Sequence, residues 1–267
     1  MDKTELVQLQ NTQKEMLRSF AELCDKHQIH YFVMYGTLLG TIRHHGTIPW
    51  DYDIDTVMTR SEYERFMQAC SELPAQYGIR HIAYGDPTQT GLTRIIKKQT
   101  RIYVPGRETE ECEIHIDIFV LDYAKNASRL SRKLASSLAV FLQIAKLSKY
   151  EKSWLYERFS NQKTKLFAVS IGECFRKIFG SARLENWARK LLVSETPTDM
   201  YLIMEEVTQR WPVSYFESVL PMEYEDLTVS VPSCYDQILR QEYGSYMEYP
   251  PQNERFTADM DKWVVEF

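Results

Sequence analysis

The sequence predicts an α/β (α+β) fold, a small mixed sheet flanked by helices, with a mainly helical insertion. Three observations point there. Helix-like and strand-like periodicities alternate over the first 125 residues. The stretch from Ser128 to Leu192 carries no strand signal. Shorter elements then return, punctuated by Pro212, Pro221, Pro232, Pro250 and Pro251. These shifts divide the chain into a core at 1–125, a basic helical insertion at 126–212 and a C-terminal segment at 213–267 that returns to the core.

The elements follow in order. Leu6, Leu9, Met16, Leu17, Phe20, Leu23, Cys24 and His27 fall at three- and four-residue steps, which predicts an amphipathic helix over the first 28 residues. The β-branched and aromatic run from Ile29 to Tyr35 predicts a strand, and a short helix is expected to begin within Gly36–Gly40. Gly46 and Pro49 mark a loop, and Asp53 to Met58 reads as a second strand. Ser61, with Glu64 three residues later, has the form of a capping box for a helix reaching Cys70. Thr93 to Val104 and Glu113 to Leu121 read as further strands. In the second, His115, Asp117 and Phe119 take one face and Ile114, Ile116 and Ile118 the other.

Apolar residues make up 44% of the 267 and charged residues 26%, a balance that excludes extensive disorder. No run of about 20 apolar residues offers a membrane span. The N-terminus lacks the apolar core of a secretory signal. Five cysteines, Cys24, Cys70, Cys112, Cys174 and Cys234, stand at no metal-binding spacing and read as reduced thiols. A cytoplasmic location is expected. The net charge of −5 is unevenly spread: residues 125–190 hold 15 Lys/Arg against 4 Asp/Glu, and the remainder 17 against 33. That split suits contact between the insertion and an anionic partner, such as an acidic glycan or the inner face of the plasma membrane. An acidic remainder without a nucleic-acid motif argues against DNA or RNA as a partner.

The chemistry concentrates between Tyr35 and Asp55. Residues two apart on a strand share a face, so Asp53 and Asp55 project together. Paired carboxylates repel unless a cation lies between them, and Mg²⁺ or Mn²⁺ suits such oxygen ligands. Asp117, mid-strand among isoleucines, is the candidate third carboxylate, either as a metal ligand or as the base that takes a proton. Gly36 allows close approach of backbone to a ligand, and the Thr37 hydroxyl at a helix start can hold phosphate oxygens.

The run Tyr-Gly-Thr-Leu-Leu-Gly-Thr-Ile-Arg-His-His-Gly-Thr-Ile-Pro-Trp-Asp-Tyr-Asp-Ile-Asp, Tyr35 to Asp55, closely resembles the signature of the LicD family, which has the nucleotidyltransferase fold. His115-Ile116-Asp117-Ile118-Phe119 is similar to that family's later Asp-containing strand. Tyr243-Gly244-Ser245-Tyr246-Met247, followed by Pro250-Pro251, is similar to its C-terminal motif. Bacterial members transfer phosphocholine from CDP-choline to sugars of teichoic acid or lipopolysaccharide; the fukutin-related proteins of animals transfer a sugar-alcohol phosphate. The resemblance covers roughly residues 25–122 and 220–255. It implies a metal-dependent phosphocholine transferase with a CDP-choline donor and a glycan or lipid-linked glycan acceptor. Two alternatives stay open: a nucleotidyltransferase that uses CTP and releases pyrophosphate, and a catalytically silent nucleotide- or glycan-binding module.

On this reading Asp53, Asp55 and Asp117 are catalytic and metal-binding. Gly36, Thr37, Arg43, His44, Trp50, Asp51, Arg94, Lys98 and Tyr243 are substrate-binding candidates. Arg43 can bind phosphate bidentately or lie solvated in a loop. Arg94 and Lys98 share strand parity and either neutralise a pyrophosphate or guard a sheet edge. Trp50, and likewise Tyr243 and Tyr246, can stack on a base or on choline, or pack in the core. Tyr52 stands where the family often has an acid and, by parity, points away from the metal face.

Overall fold

The computed structural model of the chain describes residues 1–80, 93–105, 111–126, 137, 171–172, 174–175, 177–204, 209–252, 255 and 262–267. It is a mixed α/β fold with two compact units. One comprises Met1–His81, Leu92–Leu121 and Val213–Phe267; the other centres on Asp122–Pro212. Among the described residues no helix is long and apolar enough to cross a membrane. The described cysteines are all free thiols.

The first unit is built on helix α1, Lys3–His27, capped by Asp2, whose carboxylate accepts the amides of Thr4 and Glu5 while Glu5 reaches back to the Asp2 amide. Its buried stripe is Leu6, Leu9, Gln13, Met16, Leu17, Phe20, Leu23 and Cys24. Phe20 meets Tyr31 and Phe66 edge-to-face, at 4.8 and 5.4 Å between ring centres. The remaining elements are β1 (Phe32–Val33), α2 (Tyr35–His44), β2 (Asp55–Thr59), α3 (Arg60–Ala69), β3 (Tyr77–Arg80), β4 (Thr93–Lys97), β5 (Arg101–Tyr103) and β6 (His115–Tyr123). The central sheet runs β1-β2-β6-β4-β3. Strands β2 and β6 are parallel, and the other neighbours in this order are antiparallel. Val33, Val57, Met58, Ile95, Ile116 and Leu121 fill its core.

Three sequence expectations shift. The strand expected from Ile29 shrinks to two residues, because α2 already begins at Tyr35. Thr59, not Ser61, caps α3 by accepting the Glu62 amide. The expected strand 93–104 is two strands, because Gln99 adopts φ 63° in a turn after Lys97.

The C-terminal part of this unit contributes the hairpin β9 (Val219–Tyr224) and β10 (Leu227–Pro232), helix α5 (Tyr235–Tyr243) and β11 (Val264–Glu266), which pairs with β5. The hairpin tip braces the loop after α2. The Glu225 amide donates to His45 O at 2.7 Å, and Lys14 and Arg18 of α1 pair with Glu225 and Asp226 at 2.7 Å each. A Cβ on Gly40 would lie 2.4 Å from Gly46 O, so only glycine lets that loop fold back on the helix.

Two glutamines tie α1 to the acidic loop. Gln10 Nε2 donates to the carbonyls of Ile48 and Asp51 at 3.2 and 2.7 Å; Gln13 Nε2 donates to those of Tyr52 and His115, both at 3.0 Å. Gln13 is only 2% exposed. Replacing it by leucine strands two carbonyls, and Gln13→Leu is expected to lower stability by ~1–3 kcal/mol, read by urea unfolding.

In the second unit, helix α4 (Ser181–Leu192) buries Leu184, Ala188 and Leu192 against Ala124, Leu202 and Met204. Strand β7 (Met200–Ile203) pairs antiparallel with β8 (Trp211–Pro212). Buried Asp122 accepts from Arg189 Nη1 at 2.9 Å. The helical run expected across 128–192 lies largely outside the described residues.

A carboxylate cleft as the candidate active site

The site forms where β1 turns into α2. Tyr35 makes that turn at φ 50°, a left-handed conformation unusual for tyrosine. Its ring packs edge-to-face on Phe119 at 5.2 Å. The Met34 amide just before it donates to Asp55 O, and the Asp55 amide donates to the Thr37 hydroxyl at 2.8 Å. Thr37 is 3% exposed, so it fixes the start of β2 against α2 and is not among the residues lining the cleft. Its hydroxyl makes a positioning contact with the Asp55 amide.

The cleft has a volume of about 700 Å³ and is lined by Tyr35, Gly36, Arg43, Trp50, Asp51, Asp53, Asp55, Tyr243 and Arg255, among others. Asp55 is the first residue of β2, and Asp53 precedes the strand in the loop, yet both reach the same cleft. Gly36 is where Asp51 enters: a Cβ there would stand 2.4 Å from Asp51 Oδ2. The Asp51 carboxylate therefore lies against the first turn of α2, at the positive end of its dipole. Burial, the charges of Asp55 and Asp51, a hydrogen bond with Asp51 and the charge of Asp117 push the Asp53 carboxyl well above the usual range. Burial also raises Asp51, while its hydrogen bond to Asp53 opposes the rise, so the two carboxyls as a pair keep a proton to higher pH than free carboxylates do. The Tyr243 phenol is pushed far up by its cover and by Glu242, Asp51, Asp55 and Asp53, which places it beside the acidic group.

Asp117 sits on β6. It aligns with Asp55 across the parallel strands and with Arg94 across the antiparallel ones. Arg94 Nε donates to its Oδ1 at 2.9 Å, His115 Nε2 stands 3.9 Å away, and Asp117 is 7% exposed. Neither Asp117 nor Arg94 lines the cleft. No three His, Cys, Asp or Glu side chains among the described residues converge as a metal cage. Asp117 therefore stands beside Asp55 on the neighbouring strand, with its charge met by Arg94. Arg94 in turn faces this carboxylate. Lys98 is not at the site: the Gln99 turn ends strand parity, and its Nζ holds Ala75 O at 2.8 Å.

A second group in the cleft is aromatic and cationic. Arg43 Nη1 donates to the carbonyls of Tyr246 and Glu248 at 2.8 and 3.0 Å, which fastens the loop after α5. His44 packs edge-on to Trp50 and Tyr249 at 5.7 and 5.3 Å. Its Nε2 is buried without a partner among the described residues, and burial followed by the Arg43 charge lowers its pKa. His44 does not itself line the cleft. The Trp50 ring carries the Arg255 guanidinium at 5.0 Å. Tyr52 turns elsewhere, its ring on Trp263 at 4.9 Å.

Gln10, Gln13, Tyr249 and Arg255 belong to the site and were not picked out from sequence. Gln13 had a signal, since it sits inside the apolar stripe of α1, where a polar residue needs buried partners. Arg255 had none.

With this geometry in place, the comparisons fall on the same residues. Residues 28–137 match the model of the LicD/FKTN/FKRP nucleotidyltransferase domain. This segment is a LicD-family nucleotidyltransferase domain. The LicD-type match takes in β1, α2, the acidic loop, β2 and β6, the elements that build the carboxylate group. The chain is 27% identical over 247 residues to the lipopolysaccharide cholinephosphotransferase LicD of Haemophilus influenzae, covering 90% of each chain. It is also 34% identical over 68 residues to the uncharacterized protein RT0683 of Rickettsia typhi, 25% of this chain and 22% of that one.

Proposed function

We propose that this LicD-family protein is an enzyme that transfers phosphocholine from CDP-choline to a sugar hydroxyl of a cell-surface glycan precursor, of the lipopolysaccharide or teichoic acid type. The observation that carries the reading is the crowding of Asp51, Asp53 and Asp55 in one cleft of the LicD-type domain. The name of the Haemophilus relative supplies the substrate class.

The crowded carboxylates fit a hard divalent cation. Asp53 and Asp55 offer oxygen ligands whose mutual repulsion a cation relieves, and two carboxylates suffice for an ion that completes its shell with water and substrate phosphate. Bound there, Mg²⁺ or Mn²⁺ would neutralise charge developing on the donor phosphates. The chain's own residues do the rest. Gln10 and Gln13 hold the loop that presents the carboxylates, and Thr37 holds the start of β2. With Asp53 and Asp55 on the cation, Asp51 is the neighbouring carboxylate left to accept the acceptor hydroxyl's proton. The hydroxyl oxygen bonds to the phosphorus bearing choline, the bond from that phosphorus to the CMP oxygen breaks, and CMP leaves.

Calorimetric titration with CDP-choline, CDP-ribitol and CTP, each with and without Mg²⁺, tests the donor. Metal-dependent binding that favours CDP-choline is the expected result. A preference for CTP would instead indicate nucleotidyl transfer, and the absence of binding to all three would leave a silent module.

A further inference from the structure

Two guanidiniums, Arg43 and Arg255, line the cleft, and neither makes an ion pair with a carboxylate among the described residues. Arg43 stands 5.0 Å from the centre of the Tyr249 ring, and Arg255 stands 5.7 Å from the same ring and 5.0 Å from Trp50. Their hydrogen bonds go to backbone carbonyls, Arg43 to Tyr246 and Glu248, Arg255 Nε to Pro250 at 2.9 Å. A carbonyl orients a guanidinium without cancelling its charge. Burial lowers the Arg43 pKa, and the neighbouring Arg255 charge adds to the fall. Glu248 lines the cleft but makes no ion pair with either arginine among the described residues. Elsewhere arginines on this unit are neutralised: Arg94 by Asp117, Arg101 by Glu111, Arg80 by Glu113. Like charges held over one aromatic ring repel each other, and an anion between them removes that repulsion.

We propose that Arg43 and Arg255 form an anion subsite that takes the phosphate of the nucleotide end of the donor. Planar guanidiniums with free N–H edges match phosphate oxygens bidentately. The subsite rests on the donor reading above and adds to it a division of labour: carboxylates with their cation in one group, guanidiniums in the other. The same geometry removes Trp50 and Tyr249 as a quaternary-ammonium cage. Their ring faces already carry cations, and a trimethylammonium group placed there would meet two positive charges. Tyr243, beside the carboxylates, is the aromatic whose surroundings suit choline.

The test is calorimetry in EDTA with CMP, cytidine and octyl phosphate, on the full chain and on Arg255→Gln and Arg255→Lys. CMP is expected to bind more tightly than cytidine, with an affinity that falls as salt rises. Arg255→Gln is expected to weaken CMP about tenfold or more, the usual scale for losing a charge-assisted contact, and to leave cytidine unchanged. Arg255→Lys should recover part of the loss. Unchanged CMP binding in Arg255→Gln would overturn the subsite, and a loss confined to octyl phosphate would overturn its assignment to the nucleotide. If Arg255→Gln melts early, Arg255→Lys and the salt dependence decide, and CMP affinity indifferent to salt would contradict the proposal. None of these readouts needs phosphocholine transfer, so the subsite and the transferase reading fail separately.

Discussion

Asp53→Asn is expected to abolish turnover, by 10³-fold or more on the scale of a lost charge-stabilising group, while making the metal-free protein more stable. The two effects share one cause. In the absence of a cation Asp53 is buried and faces Asp55, Asp51 and Asp117, and its carboxyl is held well above the ordinary range. A carboxyl raised in the folded state contributes stability that is full below the ordinary carboxylate pKa and is lost as pH rises through the raised one. At neutral pH the wild-type metal-free fold therefore carries an unfavourable charge that asparagine lacks. A relief of about 1 kcal/mol would raise the melting temperature by ~2–4 °C in a chain of this size. Mg²⁺ should reverse the order. A cation at 100 times its dissociation constant stabilises the wild type by about 2.7 kcal/mol, and the variant, lacking a ligand, should respond little. Melting curves at pH 5 and 8, with EDTA and with Mg²⁺, check each sign. A variant less stable than wild type in EDTA at pH 8 would show that the carboxylates are not in conflict.

Gly36→Ala is the second large effect. In a helix this substitution ordinarily stabilises, by up to about 1 kcal/mol. Here the new Cβ would stand 2.4 Å from Asp51 Oδ2, so the carboxylate must leave its place at the start of α2. Activity is expected to fall on the order of 10²-fold, the scale of a misplaced reacting group, with a melting temperature within a few degrees of wild type. Combining it with Asp51→Ala separates causes. If the glycine acts by admitting Asp51, the double variant should be no worse than Asp51→Ala alone. Additive losses would mean that Gly36 serves the substrate directly.

Much of this site was legible because a local rule could reach it. The acidic run after Pro49, and an Asp inside an isoleucine strand, announce themselves by charge where apolar residues are expected. What local rules do not reach is equally physical. Strand parity groups Lys98 with Arg94, but the strand gives way to a turn at Gln99 with no Gly or Pro to mark it. Arg43 reads as a phosphate ligand or a solvated charge, and no local rule reaches the carbonyls of Tyr246 and Glu248 that hold it, some 200 positions away in the chain. Asp117 stands out in sequence because an unpaired buried Asp is costly; that Arg94, aligned with it on β4, meets the cost is visible only in the fold. Arg255 sits in a polar stretch without periodicity, and only the return of the C-terminal segment to Trp50 gives it a role.

The most direct test of the central claim is the fate of CDP-choline. The protein would be incubated with CDP-choline, Mg²⁺ and a lipopolysaccharide or teichoic acid acceptor, and followed by ³¹P magnetic resonance beside Asp53→Asn. The account predicts CMP together with a new phosphodiester on the glycan, dependent on the metal and absent in the variant. Pyrophosphate release from CTP with CDP-choline left intact, or undiminished turnover in Asp53→Asn, would contradict it.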